Sequence, residues 1–214
     1  MRTVQEVYDQ YKIMPSLQLH QLRVGAVAKI ITESFDGPLD KDAVVVACVF
    51  HDMGNIIKSD LERFPDFLEP EGLEYWEGVK KEFVKKYGVD DHAATEKIAE
   101  ELGLAPGVMF CLTNIGVSKA TETERGDSFE RKVCNYADMR VGPYGVLLLA
   151  ERIADLRKRY AAKQHVIATD AFEECVRSLV SMKRQIFSKA RITPEQINDE
   201  EIKNIIEELR KLPV

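Results

Sequence analysis

The stretch Ala43-Val44-Val45-Val46-Ala47-Cys48-Val49-Phe50-His51-Asp52-Met53-Gly54-Asn55 decides how this chain is read. Its first eight residues are apolar enough for a buried helix, yet the run ends on an imidazole and a carboxylate. Burying an ionised carboxylate costs several kcal/mol unless it is paired or bound to a metal. An Asp beside a His at such a place therefore needs a reason. The simplest is that the two side chains share a metal ion as nitrogen and oxygen donors.

Outward from this stretch the periodicity is helical throughout, with no sustained alternation and no hairpin dipeptide. Val4, Val7, Tyr8 and Tyr11 mark a short first helix ended by Pro15, and Ser16 is the expected cap of a second that runs to about Phe35. Asp40 is expected to cap a third, carried through the apolar run to about Lys58. Residues 59–72, with Pro65, Pro70 and Gly72, read as an irregular connection, and helices are expected over 72–87, 90–103, 106–117, 128–140, 146–162, 168–190 and 194–211. Gly88, Gly103 and Gly126 are the expected stops. No repeat or low-complexity linker divides the chain, so the expectation is one all-α domain over 1–214. The segment 146–214 is read as packing or oligomerisation helices, which leaves homo-oligomer formation as an expectation.

Composition narrows the class. A chain of 214 residues with 45% hydrophobic and 31% charged residues buries a sizeable core without disulfides or a structural metal. Cys48, Cys111, Cys134 and Cys175 are scattered, form no CxxC pair and sit among apolar neighbours, as reduced core thiols of a cytoplasmic protein do. The N-terminus has no signal-peptide pattern, and the longest apolar runs, 43–50 and 146–150, are far short of the roughly 20 residues a membrane span needs. A net charge of −6 argues against stable nucleic-acid binding. The basic clusters Lys80-Lys81, Lys85-Lys86 and Arg157-Lys158-Arg159 read as solvated helix faces.

Among the four histidines, His20 shares an apolar helix face with Val24, Val27 and Ile31, and Asp138 shares one with Cys134 and Val141. His20, His51, Asp52 and Asp138 are thus metal-capable groups at positions that periodicity buries. A lone buried His is usually a satisfied core residue. The adjacency of His51 and Asp52 makes that reading harder, because it requires two independent accidents.

A His, a His-Asp pair about thirty residues later and a distant Asp, all on helices, resemble the HD-domain metal-dependent phosphohydrolase superfamily. Val49-Phe50-His51-Asp52-Met53-Gly54 is similar to the family's His-Asp segment and Ala137-Asp138-Met139-Arg140-Val141 to its closing Asp segment, so that the resemblance covers about residues 16–145. It implies a helical bundle in which His20, His51, Asp52 and Asp138 ligate one divalent ion. His92, in Asp90-Asp91-His92-Ala93-Ala94-Thr95-Glu96, resembles a later family His that faces the pocket, and is expected to bind substrate. His165 has no such support and is expected at the surface. Two departures stand out: Asn55 replaces the Lys common after the Gly of the His-Asp segment, and the further His of binuclear members is missing from 111–116. One metal is therefore favoured over two, which also disfavours oxygen chemistry at paired irons.

The resemblance implies a hydrolase for a phosphate mono- or diester, with a nucleotide suggested by family precedent alone. Two His with two carboxylates suit Fe, Mn, Co or Ni better than Mg, and Zn is compatible. Asp52 would orient the attacking water, Arg23 and Lys58 would meet phosphate charge, and Asp60 would aid proton transfer to the leaving group. The alternative is a non-enzymatic sensor of the same fold that binds a nucleotide or metal; intact ligands and the lack of an adjoining signalling domain favour the enzyme.

Overall fold

Helix capping sets the frame of the chain. The computed structural model describes residues 2–161 and 170–214, so His165 lies outside the described residues. Helix α1 (Val4–Gln10) starts on a reciprocal cap between Thr3 and Glu6, and α2 (Pro15–Ser34) starts on a proline at its first position. Ser16 is thus inside α2 rather than its cap, because Pro15 already has the backbone angle of a first helical residue. Asp40 caps α3 (Lys41–Phe50) by accepting from the Ala43 N–H at 3.0 Å. The chain continues through α4 (Leu73–Tyr87), α5 (Asp91–Leu102), α6 (Pro106–Leu112), α7 (Ala120–Arg125), α8 (Phe129–Asp138), α9 (Leu149–Ala161), α10 (Asp170–Phe187) and α11 (Asp199–Arg210). Short 3-10 turns lie at Asn55–Ile57, Pro65–Leu68, Val117–Lys119 and Pro194–Gln196. No strand occurs among the described residues, only isolated bridges. No described helix is long and apolar enough to cross a membrane.

Helix α3 lies at the centre, packed by α2, α6 and α8, while α10 packs on α7 and α8 and α11 on α2. From Ala43 to Phe50 every residue but Val46 is buried. The helix stops at Phe50, eight residues short of the expected Lys58, and the reason is a competition for backbone partners. The Asp52 N–H, which would extend the ladder onto Cys48, instead donates to Gln21 Oε1 on α2 at 3.1 Å. The released Cys48 carbonyl accepts from the His51 ring at 2.7 Å. Two other expectations are corrected by local polar chemistry: α7 is an additional one-and-a-half-turn helix without an apolar stripe, and the segment from 194 opens with a 3-10 turn before Asn198 caps α11.

After the His-Asp pair the chain needs room for a neighbour. A Cβ on Gly54 would stand 2.3 Å from the Asp91 carbonyl oxygen and 2.8 Å from Ala94 Cβ, so only glycine lets α5 come this close. The Gly54 N–H donates to Thr95 Oγ1 at 2.9 Å, which fixes the contact. Gly54→Ala is therefore expected to destabilise the protein by about 1–3 kcal/mol through overpacking against backbone. Gly78→Ala, on the exposed side of α4 with nothing within 4 Å of its added Cβ, is expected to stabilise it by about 0.5–1 kcal/mol. Denaturant unfolding of the two variants beside the parent checks both signs.

Candidate metal centre

Three helices deliver the donor groups to one place: α2 carries His20 in its second turn, α3 ends into His51 and Asp52, and α8 ends on Asp138. One donor atom each from His20, His51 and Asp52 falls within a sphere of mutual distances below 4.8 Å. Asp138 Oδ1 lies 3.3 Å from His20 Nε2 and 3.5 Å from His51 Nε2. Asp52 Oδ2 lies 3.9 Å and 3.7 Å from the same two nitrogens. Neighbouring donors on one ion with bonds of about 2.1 Å stand about 3 Å apart, so this set needs only a small contraction. The side chains of His20, Asp52 and Asp138 keep 19%, 17% and 16% of their surface exposed, which opens the cluster to solvent on one side.

The protonation of His51 is fixed by its surroundings. Its Nδ1 faces the Cys48 carbonyl, an acceptor only, so Nδ1 carries the hydrogen. In the neutral ring Nε2 is then the lone-pair nitrogen, fully buried and without a hydrogen-bond partner. An orphaned buried nitrogen aimed at two carboxylates and a second imidazole fits a divalent cation, with Nδ1–H to the carbonyl as its orienting contact. Without a cation the charges have one remedy. Burial alone would push the His51 imidazole down, yet the carboxylates of Asp52 and Asp138 raise it from its ordinary 6.5 to about 9. Burial likewise opposes ionisation of Asp138, but the imidazoles of His20 and His51 beside it hold its carboxyl well below the usual range.

Residues that carry no obvious sequence signal hold Asp52 in place. Asn55 Nδ2 donates to Asp52 Oδ2 at 2.8 Å, and Ser59 Oγ donates to Asn55 Oδ1 at 3.0 Å. Gln21, wholly buried, holds the Asp52 backbone. The spacing of Asn55, three residues after Asp52, is the one clue that a sequence reader had.

The remaining candidates are spread around the cluster. Lys58 is half exposed and pairs with Asp91 Oδ2 at 2.5 Å. Desolvation would lower its ammonium, but Asp52, Asp91 and Asp138 outweigh this and raise it, which puts Lys58 in the field of the cluster. His92 stands exposed in the first turn of α5, its Nε2 4.0 Å from Asp91 Oδ2 and its ring against Gly116. Arg23, one turn after His20, faces Asp199 Oδ1 at 3.8 Å. Asp60, two residues past Lys58, is exposed and lines a cleft of about 600 Å³ with Ser59, Lys80, Lys81 and Lys85.

A family model described as HD domain matches residues 18–107, a span that contains His20, His51, Asp52 and His92 and stops short of Asp138. No curated protein and no solved structure matches the chain.

The raised His51 has a consequence in the metal-free protein. A group protonated more firmly when folded stabilises the fold below its unfolded value near 6.5, and that stabilisation is lost as pH climbs through about 9. The melting temperature of chelator-treated protein is expected to fall between pH 6.5 and 9. Metal-loaded protein should lack this decline, and calorimetric titration in buffers of different ionisation enthalpy should register proton release on loading at pH 7.

Proposed function

Because this chain carries an HD domain across residues 18–107, we propose that it is a metal-dependent phosphohydrolase acting on a phosphate mono- or diester, a nucleotide being one such ester. The observation that carries this reading is the buried, unpartnered Nε2 of His51 facing His20, Asp52 and Asp138. These four residues would hold one divalent transition ion, Mn, Fe, Co or Ni by donor type, with Zn also compatible. Such an ion, when bound, supplies Lewis acidity and lowers the pKa of a water.

The chain's own residues do the rest. Asn55 pins Oδ2 of Asp52, which leaves Oδ1 to accept from the attacking water and orient it. Lys58 stabilises charge that develops on the phosphoryl oxygens, because Asp52 and Asp91 keep it protonated beside the cluster. Arg23 is the second cation; its pair with Asp199 is long at 3.8 Å and can yield to a phosphate oxygen. His92, at the solvent-facing rim, contacts the substrate rather than the ion.

Elemental analysis beside hydrolysis rates on nucleotides and simple phosphate esters tests the assignment. His51→Ala and Asp52→Ala are expected to lose stoichiometric metal, since each removes a donor. Lys58→Ala and Arg23→Ala should keep the metal and lose about 10–100-fold in turnover. His92→Ala should keep the metal and raise KM. Activity of chelated protein should return with Mn, Co or Ni better than with Mg, which prefers oxygen donors. A fully loaded protein that hydrolyses none of these esters overturns the enzymatic reading.

A further inference from the structure

The segments that follow the two carboxylates of the centre meet again at a group of aromatic rings. Phe64 caps the 3-10 turn Pro65–Leu68 and Phe67 lies within it, where three residues make one turn and side chains three apart come into line. Their rings stack, 5.1 Å between centroids and 23° between planes. Tyr144 reaches them from the other segment, edge-on to Phe64 at 6.4 Å and to Phe67 at 5.6 Å. The Arg63 guanidinium lies 5.6 Å from the centre of the Phe64 ring. Tyr144 is nonetheless 73% exposed, so this is no buried core. Phe64 and Phe67 are half-buried and stacked on each other, so the ring of the cluster most open to a further aromatic is Tyr144.

Both segments are tied to the donor cluster. On one side, Ser59 bonds to Asn55 and Asn55 to Asp52. On the other, Arg140, two residues after Asp138, accepts from the Leu147 N–H and its side-chain Nε donates back to the Leu147 carbonyl, and the turn between them closes with the Gly142 N–H on the Gly145 carbonyl. That turn is also clamped from α11: Asp199 accepts from the Val146 N–H at 3.2 Å and faces Arg23 of α2. A Cβ at position 145 would stand 2.4 Å from Asp199 Oδ2, so a larger residue there would make the Asp199 carboxylate shift. Tyr144 is therefore presented by a fixed turn that is linked to the His20 helix and to the Asp138 helix at once.

We propose that Phe64, Phe67 and Tyr144 form a stacking wall for a planar aromatic ring, of the nucleobase type, in the leaving group of the substrate. The proposal rests on the phosphohydrolase reading for the phosphate end of that substrate. Stacking of one ring on such a platform changes affinity about tenfold or more per face. Arg63 adds a cation at the wall's edge that suits an electron-rich ring or its attached phosphate.

The experiment uses the full, metal-loaded chain and two substrates with the same phosphate and pentose, adenosine 5′-monophosphate and ribose 5-phosphate. It adds adenosine, which has no phosphate to lose, as an equilibrium ligand followed by ligand-observed NMR. KM is expected to be about tenfold lower for the nucleotide than for ribose 5-phosphate. Tyr144→Ala, at an exposed position, should erase that difference and weaken adenosine about tenfold, and Tyr144→Phe should preserve both. Equal KM for the two esters in the parent, or an equal shift of both in Tyr144→Ala, overturns the wall. If neither ester is hydrolysed, the phosphohydrolase reading fails and adenosine still decides: Tyr144-dependent binding supports the wall, and no binding overturns it. A variant whose sedimentation changes while adenosine affinity does not assigns the rings to self-association, which also overturns the proposal.

Discussion

The hydrogen bond between His51 Nδ1 and the Cys48 carbonyl governs the rest of the site. It exists because α3 gives up its last ladder contact, and α3 gives that up because Gln21 offers the Asp52 N–H another acceptor. One exchange of partners thus ends the central helix, selects the tautomer of His51 and aims a bare nitrogen at Asp52 and Asp138. Two carboxylates and two imidazoles in a partly dry space are unstable together without positive charge. The protein supplies a proton in the absence of anything better, and a divalent cation is the stronger remedy.

Around this exchange, the fold fixes the donors from three directions. Arg140, fully buried, donates to the carbonyls of Leu147, Pro194 and Ile197 and to the Tyr136 hydroxyl. A buried guanidinium is costly unless its donors are met, and these four acceptors meet them from several chain segments. It thereby locks the chain that leaves Asp138. The Gly54–Thr95 contact does the same for the chain that leaves Asp52, and packs α5 against it so that Lys58 meets Asp91.

The all-α class was legible because the 43–50 run is too long and continuous for alternation, and because Asp40, Gly88 and Gly103 mark helix ends by chemistry that acts within one turn. His20, His51, Asp52 and Asp138 were legible as metal-capable groups at positions that periodicity buries, and in the fold His20, His51 and Asp52 gather with the Asp138 carboxylate beside the two imidazoles. What failed was information that arrives from a distance. Ile56 and Ile57 continue the apolar period of α3 and invite a longer helix; the partner that ends it, Gln21, is thirty-one residues earlier. Asn55 reads as a lost charge in the sequence, whereas in the structure it is a neutral donor that holds a carboxylate oxygen. The aromatic trio joins residues some eighty positions apart, and no local pattern encodes such a meeting.

The clamp formed by Asp199 extends further than the turn it holds. Asp199 opens α11, and α11 ends beside α1, where the Val4 N–H donates to the Leu212 carbonyl and Arg2 and Val214 exchange two backbone hydrogen bonds. Terminal segments ordinarily fray at almost no cost and carry nothing with them. Here residues 2–4 and 212–214 are bonded to each other at one end of α11, while Asp199 clamps the Tyr144 turn at its other end. A single helix thus joins two contacts that lie far apart along the chain, and slow amide exchange of the Val4 and Val214 N–H groups would report how firmly its far end is held.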